Sequence, residues 1–178
     1  WIFHARQTFT LDANTLTHHL SVTNESGSTM PVGLGFHPYF ANASGAQLTA
    51  SADGVWNNSG QNLPSYWSGV PEVWDFSKGK PVSGARVDNC FTGLQGNSLG
   101  GARITQDGVP YAINITHDPA LEFAVIYTAA DDDSFCYEPV SHMSNALNWH
   151  DGLAGTGLRH LAPNATFSVW MRFTLTAR

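Results

Sequence analysis

The fold class is indicated most clearly by the stretch Phe167-Ser168-Val169-Trp170-Met171-Arg172-Phe173-Thr174-Leu175-Thr176. Apolar residues occupy every second position and most of the residues between them are polar, which is the period of a β-strand with one buried face. The same alternation runs through residues 16–23 and 111–116, and Phe, Val and Tyr at alternate positions of 123–127 mark another strand. The chain is therefore rich in strands that each bury one face.

Short clusters of turn-forming residues separate these runs. Residues 24–27 and 107–108 combine Asn, Asp, Ser and Gly, the types that favour tight turns. No segment shows a sustained three-four spacing of apolar residues with caps, so we expect helices to be short or absent. Many closely spaced strands predict one all-β domain over residues 1–178, an antiparallel sandwich or a related architecture.

The composition excludes some functions. Charged residues make up only 12% of the 178 residues, and the net charge is −6, so the eight Lys and Arg are too few and too scattered to bind nucleic acid. No apolar stretch approaches the length of a membrane span. The weakly alternating segment 57–80, which is rich in Pro, Trp and Gly, is interpreted as a long irregular excursion over the sheet, where function often lies.

The chain contains two cysteines, Cys90 and Cys136. Two cysteines are too few for a disulfide scaffold and favour a reducing compartment, so we expect a cytoplasmic protein. Each lies two residues from a candidate carboxylate, which suggests that they could be near one another. A zinc site formed by both cysteines and a histidine stays open as an alternative, whereas His18 and His19 point to opposite faces of a strand and cannot chelate together.

Residues 33–40, Gly-Leu-Gly-Phe-His-Pro-Tyr-Phe, hold one histidine between glycines and a proline. Imidazole is the side chain whose ordinary pKa lies near neutrality, so His37 held stiffly by its neighbours is a candidate proton donor or acceptor. The alternative is a core or turn histidine with a satisfied hydrogen bond.

Two carboxylates complete the candidate chemistry. Glu138 lies between Tyr137 and Pro139 after an apolar run, and burial there would raise its pKa and make it a competent base. Asp88 is expected on a loop just after the excursion. The alternatives are that Asp88 and Asn89 cap a turn, and that Glu138 bonds a backbone amide at a strand end.

Four motifs resemble the aldose 1-epimerases, also called galactose mutarotases. They share the order and approximate spacing found in that family, from near Gln7 to the C-terminus. They are Thr23-Asn24 with Met30-Pro31-Val32 and residues 33–40; Asp88-Asn89-Cys90-Phe91; Cys136-Tyr137-Glu138-Pro139 with Asn145-Ala146-Leu147-Asn148; and Leu161-Ala162-Pro163-Asn164-Ala165-Thr166-Phe167.

The resemblance implies an antiparallel β-sandwich of the galactose mutarotase type that interconverts the α and β anomers of a free hexose. Glu138 would take the proton of the anomeric hydroxyl while His37 protonates the ring oxygen, and Asp88 would hold the sugar hydroxyls. No cofactor and no metal is implied. Three tryptophans of the excursion region are candidates for a wall on which the sugar stacks: Trp56, Trp67 and Trp74.

Two departures from the family pattern limit these expectations. Family chains are considerably longer, and their upstream part supplies strands of the sandwich together with an arginine and a second histidine of the sugar site. This sequence begins at Trp1 without an initiator methionine, so we interpret it as a mature or truncated product. The closing turn reads Pro163-Asn164-Ala165, where the family has Pro-Gly-Glu.

A sandwich without its N-terminal strands is expected to expose strand edges and one apolar face. The missing segment would then be supplied as a separate chain, or the face would be covered in a homo-oligomer. Two alternative functions stay open at this point. One is a noncatalytic carbohydrate-binding module on the same fold, and the other is a hexose 6-phosphate epimerase variant, which would need a basic cluster.

Overall fold

Two antiparallel sheets face each other in the computed structural model, which describes residues 1–43, 45–59, 63–94, 101–129, 133–149 and 155–178. The larger sheet has seven strands in the order β1-β2-β15-β11-β10-β5-β8, the smaller has six in the order β4-β13-β12-β9-β6-β7, and β14 pairs with β3. The strands are β1 (Phe3–Asp12), β2 (Thr15–Asn24), β3 (Met30–Val32), β4 (Tyr39–Ala41), β5 (Gln47–Ala50), β6 (Gly54–Asn58), β7 (Pro64–Ser68), β8 (Lys80–Pro81), β9 (Val87–Thr92), β10 (Gly101–Thr105), β11 (Tyr111–His117), β12 (Phe123–Thr128), β13 (Ser134–Val140), β14 (Arg159–Leu161) and β15 (Thr166–Ala177).

The alternating runs are strands, as predicted, and three of them, β2, β11 and β15, lie side by side in the larger sheet. The long C-terminal run lies in β15, which pairs with β2 on one side and β11 on the other. The apolar positions of neighbouring strands lie opposite one another, as in the pairs Val169 with Leu20 and Phe173 with Ile115. Shared register puts all of them on one face, and this sheet face builds half of the core.

The core lies between the two sheets. The larger sheet contributes residues such as Leu48, Ile115 and Met171, and the smaller contributes Phe91 and Ile126 from its central strands. The apolar run of residues 123–127 is a strand as expected, but its alternate positions 124 and 126 enter this core. Positions 123, 125 and 127 therefore lie on the opposite face, which we call the outer face of the smaller sheet.

The segment 57–80 is more regular than predicted. Residues 54–58 and 64–68 form a hairpin of β6 and β7 at the edge of the smaller sheet, with Trp56 opposite Trp67. The prediction of an irregular segment was therefore wrong for this part, because the cross-strand tryptophan pair and the hydrogen bond from Asn57 to Ser68 stabilise a two-stranded edge without apolar alternation. Residues 60–62 lie outside the described part.

The short 3₁₀ helices Glu72–Trp74 and Ala146–Asn148 lie within the described ranges, and no α-helix is found there. This agrees with the missing three-four periodicity. Within those ranges no helix has the length and apolar character needed to cross a bilayer.

The larger sheet extends beyond the smaller one on the side of β1 and β2. The edge strand β1 is exposed along its whole length, and apolar side chains on the face that continues the core are open to solvent, Phe9 at 61% and Leu11 at 76%. Leu16, the partner of Leu11 on β2, is also exposed. The expected uncovered apolar face is thus present, and in the described chain no strand of the smaller sheet covers it.

A buried polar contact ties the two sheets together beneath β13. His117 on β11 approaches the Tyr137 hydroxyl with its Nε2 at 3.3 Å, and its Nδ1 lies 3.3 Å from the carbonyl oxygen of Asp118. Burial lowers the pKa of His117, so the ring is neutral near pH 7. Because a carbonyl only accepts, Nδ1 carries the proton and Nε2 accepts from the tyrosine.

We expect Tyr137→Phe to lower the free energy of unfolding by about 1 to 2 kcal/mol, because the buried Nε2 of His117 then loses its donor. Urea denaturation at neutral pH measures the change, and Tyr66→Phe, at an exposed tyrosine, is the matched control. An unchanged urea midpoint in Tyr137→Phe would show that the contact carries no net stability.

Candidate functional site

The loop that carries His37 runs antiparallel to β13. An isolated bridge joins Gly35 to Val140, and β4 pairs with the start of β13 in the same register. Continuing that register between the two contacts places His37 opposite Glu138. Cross-strand partners point to the same face of a sheet, so the acid and the base predicted from sequence meet on the outer face of the smaller sheet.

Two glycines allow the loop to lie this close to its neighbours. A Cβ atom at Gly33 would lie 1.6 Å from Cδ2 of His142, and one at Gly35 would lie 2.5 Å from Cγ1 of Val140. Any larger residue would push the loop away from β13. The glycines around His37 are therefore explained by close packing, since neither has a positive φ.

His37 and Glu138 form a direct pair. The Nε2 atom of His37 lies 3.4 Å from Oε1 of Glu138, and the histidine side chain is 56% exposed while that of the glutamate is only 12% exposed. The ring of Tyr39 stacks on the imidazole with centroids 4.8 Å apart and planes 15° from parallel. The pair is thus open to solvent on the histidine side and packed on the glutamate side.

The environment of Glu138 suits a proton acceptor. Burial raises the pKa of the Glu138 carboxyl above its ordinary value. The charge of His37 opposes this rise in pKa, the negative charge of Asp88 adds to it, and a hydrogen bond from the Cys136 thiol opposes it. A glutamate with a raised pKa takes up a proton more readily than an exposed one, which is what a base near neutral pH requires.

Asp88 lies in the interior of β9, so its placement on a loop was wrong, and so was the alternative that it caps a turn. Buried Val87, Cys90 and Phe91 make this segment a strand, because they are held between β6 and β12 on both sides. Asp88 lies opposite Tyr127 of β12, and Tyr127 lies opposite Cys136 of β13, so Asp88 and Cys136 share a face. Glu138 follows Cys136 by two residues and is therefore on that same outer face.

Both cysteines are buried, and neither forms a disulfide. They share the outer face, but β12 lies between their strands, which puts their Cα atoms at least about 9.5 Å apart. A disulfide needs Cα atoms within about 7 Å, so the two thiols cannot pair here. Burial raises the pKa of Cys90 to about 12, with a contribution from the charge of Glu138, so this thiol is inert at neutral pH.

The structure brings three possible metal-binding side chains together, but only one of them is a cysteine. In the described ranges, donor atoms of His37, Cys136 and Glu138 all lie within 4.8 Å of one another. Cys90 is not part of this group. The zinc alternative based on both cysteines was therefore wrong in its ligand set, because β12 separates the two thiols.

The three candidate tryptophans divide between the two faces. Trp56 and Trp67 pair across the edge hairpin next to Cys90, and thus lie on the outer face. Trp74 packs against the main core, and its Nε1 donates to the carbonyl oxygen of Ala85 at 3.2 Å. Trp56 meets Trp149 edge to face at 4.8 Å. Trp56 and Trp67 are therefore on the same face as the candidate site, and Trp149 joins them through its contact with Trp56.

Three residues at the site were not singled out for it by the sequence: Tyr39 for its stacking on His37, Trp149 for its contact with Trp56, and Cys136 for its thiol beside Glu138. The sequence spacing could have indicated two of them. Tyr39 lies two residues after His37, and Cys136 lies two residues before Glu138. Side chains two apart on a strand share a face.

A family model supports the motif resemblance over nearly the whole chain. The model described as aldose 1-epimerase matches residues 1–174. The chain is 36% identical over 172 residues to the Escherichia coli K12 protein YphB, covering 91% of this chain and 57% of that protein.

Solved structures agree with the fold. An Escherichia coli K12 protein assigned provisionally as an aldose 1-epimerase has a TM-score of 0.84 at 32% identity, with 99% of this chain and 62% of that one covered. A galactose mutarotase-like protein from Clostridium acetobutylicum has a TM-score of 0.88 at 20% identity, covering 99% and 56%. The galactose 1-epimerase of Lactobacillus acidophilus has a TM-score of 0.78 at 18% identity, with 98% of this chain and 57% of that chain covered. At these two lower identities the likeness concerns the fold alone.

The chain spans roughly three fifths of the length of these relatives, as the coverages of 56% to 62% show. The match includes the His37 loop, β9 and β13, which are the elements that carry the candidate site.

Proposed function

The chain belongs to the aldose 1-epimerase family, and we propose that it carries the acid and the base with which a mutarotase interconverts the α and β anomers of a free hexose. The observation that carries this proposal is the contact of 3.4 Å between His37 Nε2 and Glu138 Oε1 on an accessible sheet face.

The chemistry requires two adjacent groups. In a cyclic aldose the anomeric hydroxyl and the ring oxygen are both bonded to C1, so a base for the first and an acid for the second must converge on neighbouring atoms. His37 and Glu138 meet this requirement because they are direct cross-strand neighbours. Their proximity lets one sugar engage both in a single pose.

The protons balance over the cycle. The reaction begins with a protonated His37 and an ionised Glu138. Glu138 accepts the proton of the anomeric hydroxyl, the bond from C1 to the ring oxygen breaks, and His37 gives its proton to that oxygen. Rotation about the bond between C1 and C2 presents the other face of the aldehyde, and reversal of both transfers closes the ring as the other anomer and restores both residues.

Asp88 and the aromatic residues have positioning roles in this proposal. The Asp88 carboxylate is exposed on the same face and can accept hydrogen bonds from sugar hydroxyls. Trp56 and Trp67 stand at the edge of that face, where an indole ring can pack against the C–H face of a sugar.

The hexose 6-phosphate alternative lacks support at this face. None of the residues of β9, β12 and β13, which form its floor, is Lys or Arg. The noncatalytic binding module is the remaining alternative, and it is favoured by one observation, the partial coverage of the relatives' length.

We propose further that polypeptide outside these 178 residues covers the apolar face of β1 and β2 and completes the sugar site. It would be a missing segment, supplied as a separate chain, or a second copy in a homo-oligomer. The exposed Phe9 and Leu11 support this, since folded proteins rarely leave such a row open to water. We also propose a cytoplasmic location, which the absence of a disulfide at Cys90 and Cys136 supports.

Polarimetry tests the function. The optical rotation of freshly dissolved α-glucose or α-galactose is followed with and without the protein in buffer containing a metal chelator, and acceleration of the decay is expected. Sugar binding by calorimetry without acceleration would overturn the catalytic proposal and favour the binding module.

The acidic limb of the pH profile is expected to move when Asp88 is changed. The groups that face Glu138 are His37, Cys136, Cys90 and Asp88. Because the negative Asp88 raises the pKa of Glu138, Asp88→Asn lowers that pKa, and the base stays ionised to lower pH. We expect the acidic limb of the plot of kcat/KM against pH to shift to lower pH. We also expect KM to increase. Asp12→Asn, on the distant edge strand β1, should leave the profile in place.

A further inference from the structure

We propose that His37, Cys136 and Glu138 form a binding site for a thiophilic divalent cation, with Zn²⁺ as the best fit, and that the ion blocks the sugar site reversibly. The three side chains offer one nitrogen, one sulfur and one oxygen, and these donor atoms lie within 4.8 Å of one another. Zinc takes this mixture of ligands in proteins, most often in tetrahedral geometry.

The spacing of the donors fits a tetrahedral ion. With bonds of about 2.1 Å to nitrogen and oxygen, two ligands of a tetrahedral zinc ion lie about 3.4 Å apart. The observed distance between His37 Nε2 and Glu138 Oε1 is 3.4 Å. The sulfur would lie about 3.6 Å from each of them with a zinc–sulfur bond of about 2.3 Å, so at most about 1 Å of side-chain movement brings Cys136 into range.

The strand register explains why three donors converge. Cys136 and Glu138 are two residues apart on β13 and therefore share a face, and His37 stands opposite Glu138 on the neighbouring loop. Two ligands come from a rigid strand, and the third, on a half-exposed imidazole, can adjust as the ion enters from solvent.

The charge at this face favours a cation. Asp88 lies on the same outer face as Glu138, on the strand two away from β13, so two carboxylates act on the same region. A divalent ion relieves their repulsion and displaces the thiol proton of Cys136, which leaves to solvent while the thiolate binds the metal. Three protein ligands leave the fourth position of a tetrahedral ion open to a water molecule.

Occupation would stop the proton transfers of the proposed function, because the imidazole nitrogen and the carboxylate would be held by the ion. The cation site itself does not depend on that function, since it is defined by donor atoms alone. Zinc binding without mutarotase activity would leave this inference standing, and activity without zinc binding would overturn it alone.

Cobalt titration provides the test. Purified protein is stripped with chelator, desalted and titrated with Co²⁺, and then with Zn²⁺ as competitor. We expect a thiolate-to-cobalt charge-transfer band in the near ultraviolet, the visible spectrum of a tetrahedral site, and loss of both when zinc is added. Octahedral spectra without the charge-transfer band would overturn the proposal.

Matched variants identify the ligands. Cys136→Ser should remove the charge-transfer band and weaken zinc binding by at least about 10- to 100-fold, the effect already seen when groups that merely support a ligand are lost. Cys90→Ala, at the other buried thiol, should keep the band. His37→Gln, at an exposed loop residue that does not endanger folding, should weaken zinc binding to a similar degree. A band that survives Cys136→Ser, or zinc affinity unchanged in His37→Gln, would contradict the ligand set.

Discussion

Replacing Glu138 by glutamine is expected to lower the rate of mutarotation by about 100- to 10,000-fold, the usual contribution of a positioned acid or base. The amide has nearly the size of the carboxylate, so packing on β13 is kept while the acceptor for the anomeric proton is lost. Polarimetry measures the rate after the spontaneous reaction is subtracted, and calorimetry measures sugar binding in parallel.

Glu25→Gln is the matched control for this substitution. Glu25 is an exposed carboxylate in the turn after β2, far along the chain from β13. It loses the same charge without touching the site, so its rate should equal that of the unchanged protein. A normal rate in Glu138→Gln would remove the base from the proposed mechanism.

His37→Ala is expected to lower the rate of mutarotation by a similar factor, because the ring oxygen of the sugar then has no proton donor. Added imidazole should restore part of the activity, since half of the His37 side chain faces solvent and its place is open to a small molecule. The charge of His37 lowers the pKa of Glu138, so its loss should also move the acidic limb of the remaining activity to higher pH.

The direction of that shift distinguishes a catalytic histidine from a structural one. It is opposite to the shift expected for Asp88→Asn, because the two charges act on Glu138 with opposite sign. His160→Ala, at an exposed histidine of β14, should change neither the rate nor the profile. Failure of imidazole to rescue His37→Ala, with folding intact, would speak against proton donation.

The fold class was predictable because strand periodicity survives wherever one face is buried and the other is wet. This holds for β15 and β2, whose alternation specifies register. Strand periodicity is lost in central strands such as β9, because Val87, Cys90 and Phe91 are buried on its two faces. Asp88 interrupts the apolar sequence of that strand. A strand held between two neighbours tolerates such residues, and local sequence then reads as a loop.

The sequence could propose the residues of the candidate site but not their arrangement. Motif order supplied His37 and Glu138, yet their contact depends on the register between a loop and β13, which involves residues about a hundred positions apart. The cysteines show the same limit: equal spacing from two carboxylates suggested that they are neighbours, and β12 separates them. Which strand lies between two others is a property of topology and is absent from local spacing.

The shared ladder that joins the His37 loop to β13 has a mechanical consequence. The His37 loop is joined to β13, the strand that carries Glu138, by backbone hydrogen bonds of the kind that links Phe36 N to the Pro139 carbonyl oxygen at 3.1 Å, and these bonds govern the distance between His37 and Glu138. Sliding or breathing of the two layers against each other alters the volume of the core but not that distance. The exposed apolar face belongs to β1 and β2 of the other sheet, so a partner that covers it can bind or leave without breaking the backbone contacts that hold His37 beside Glu138.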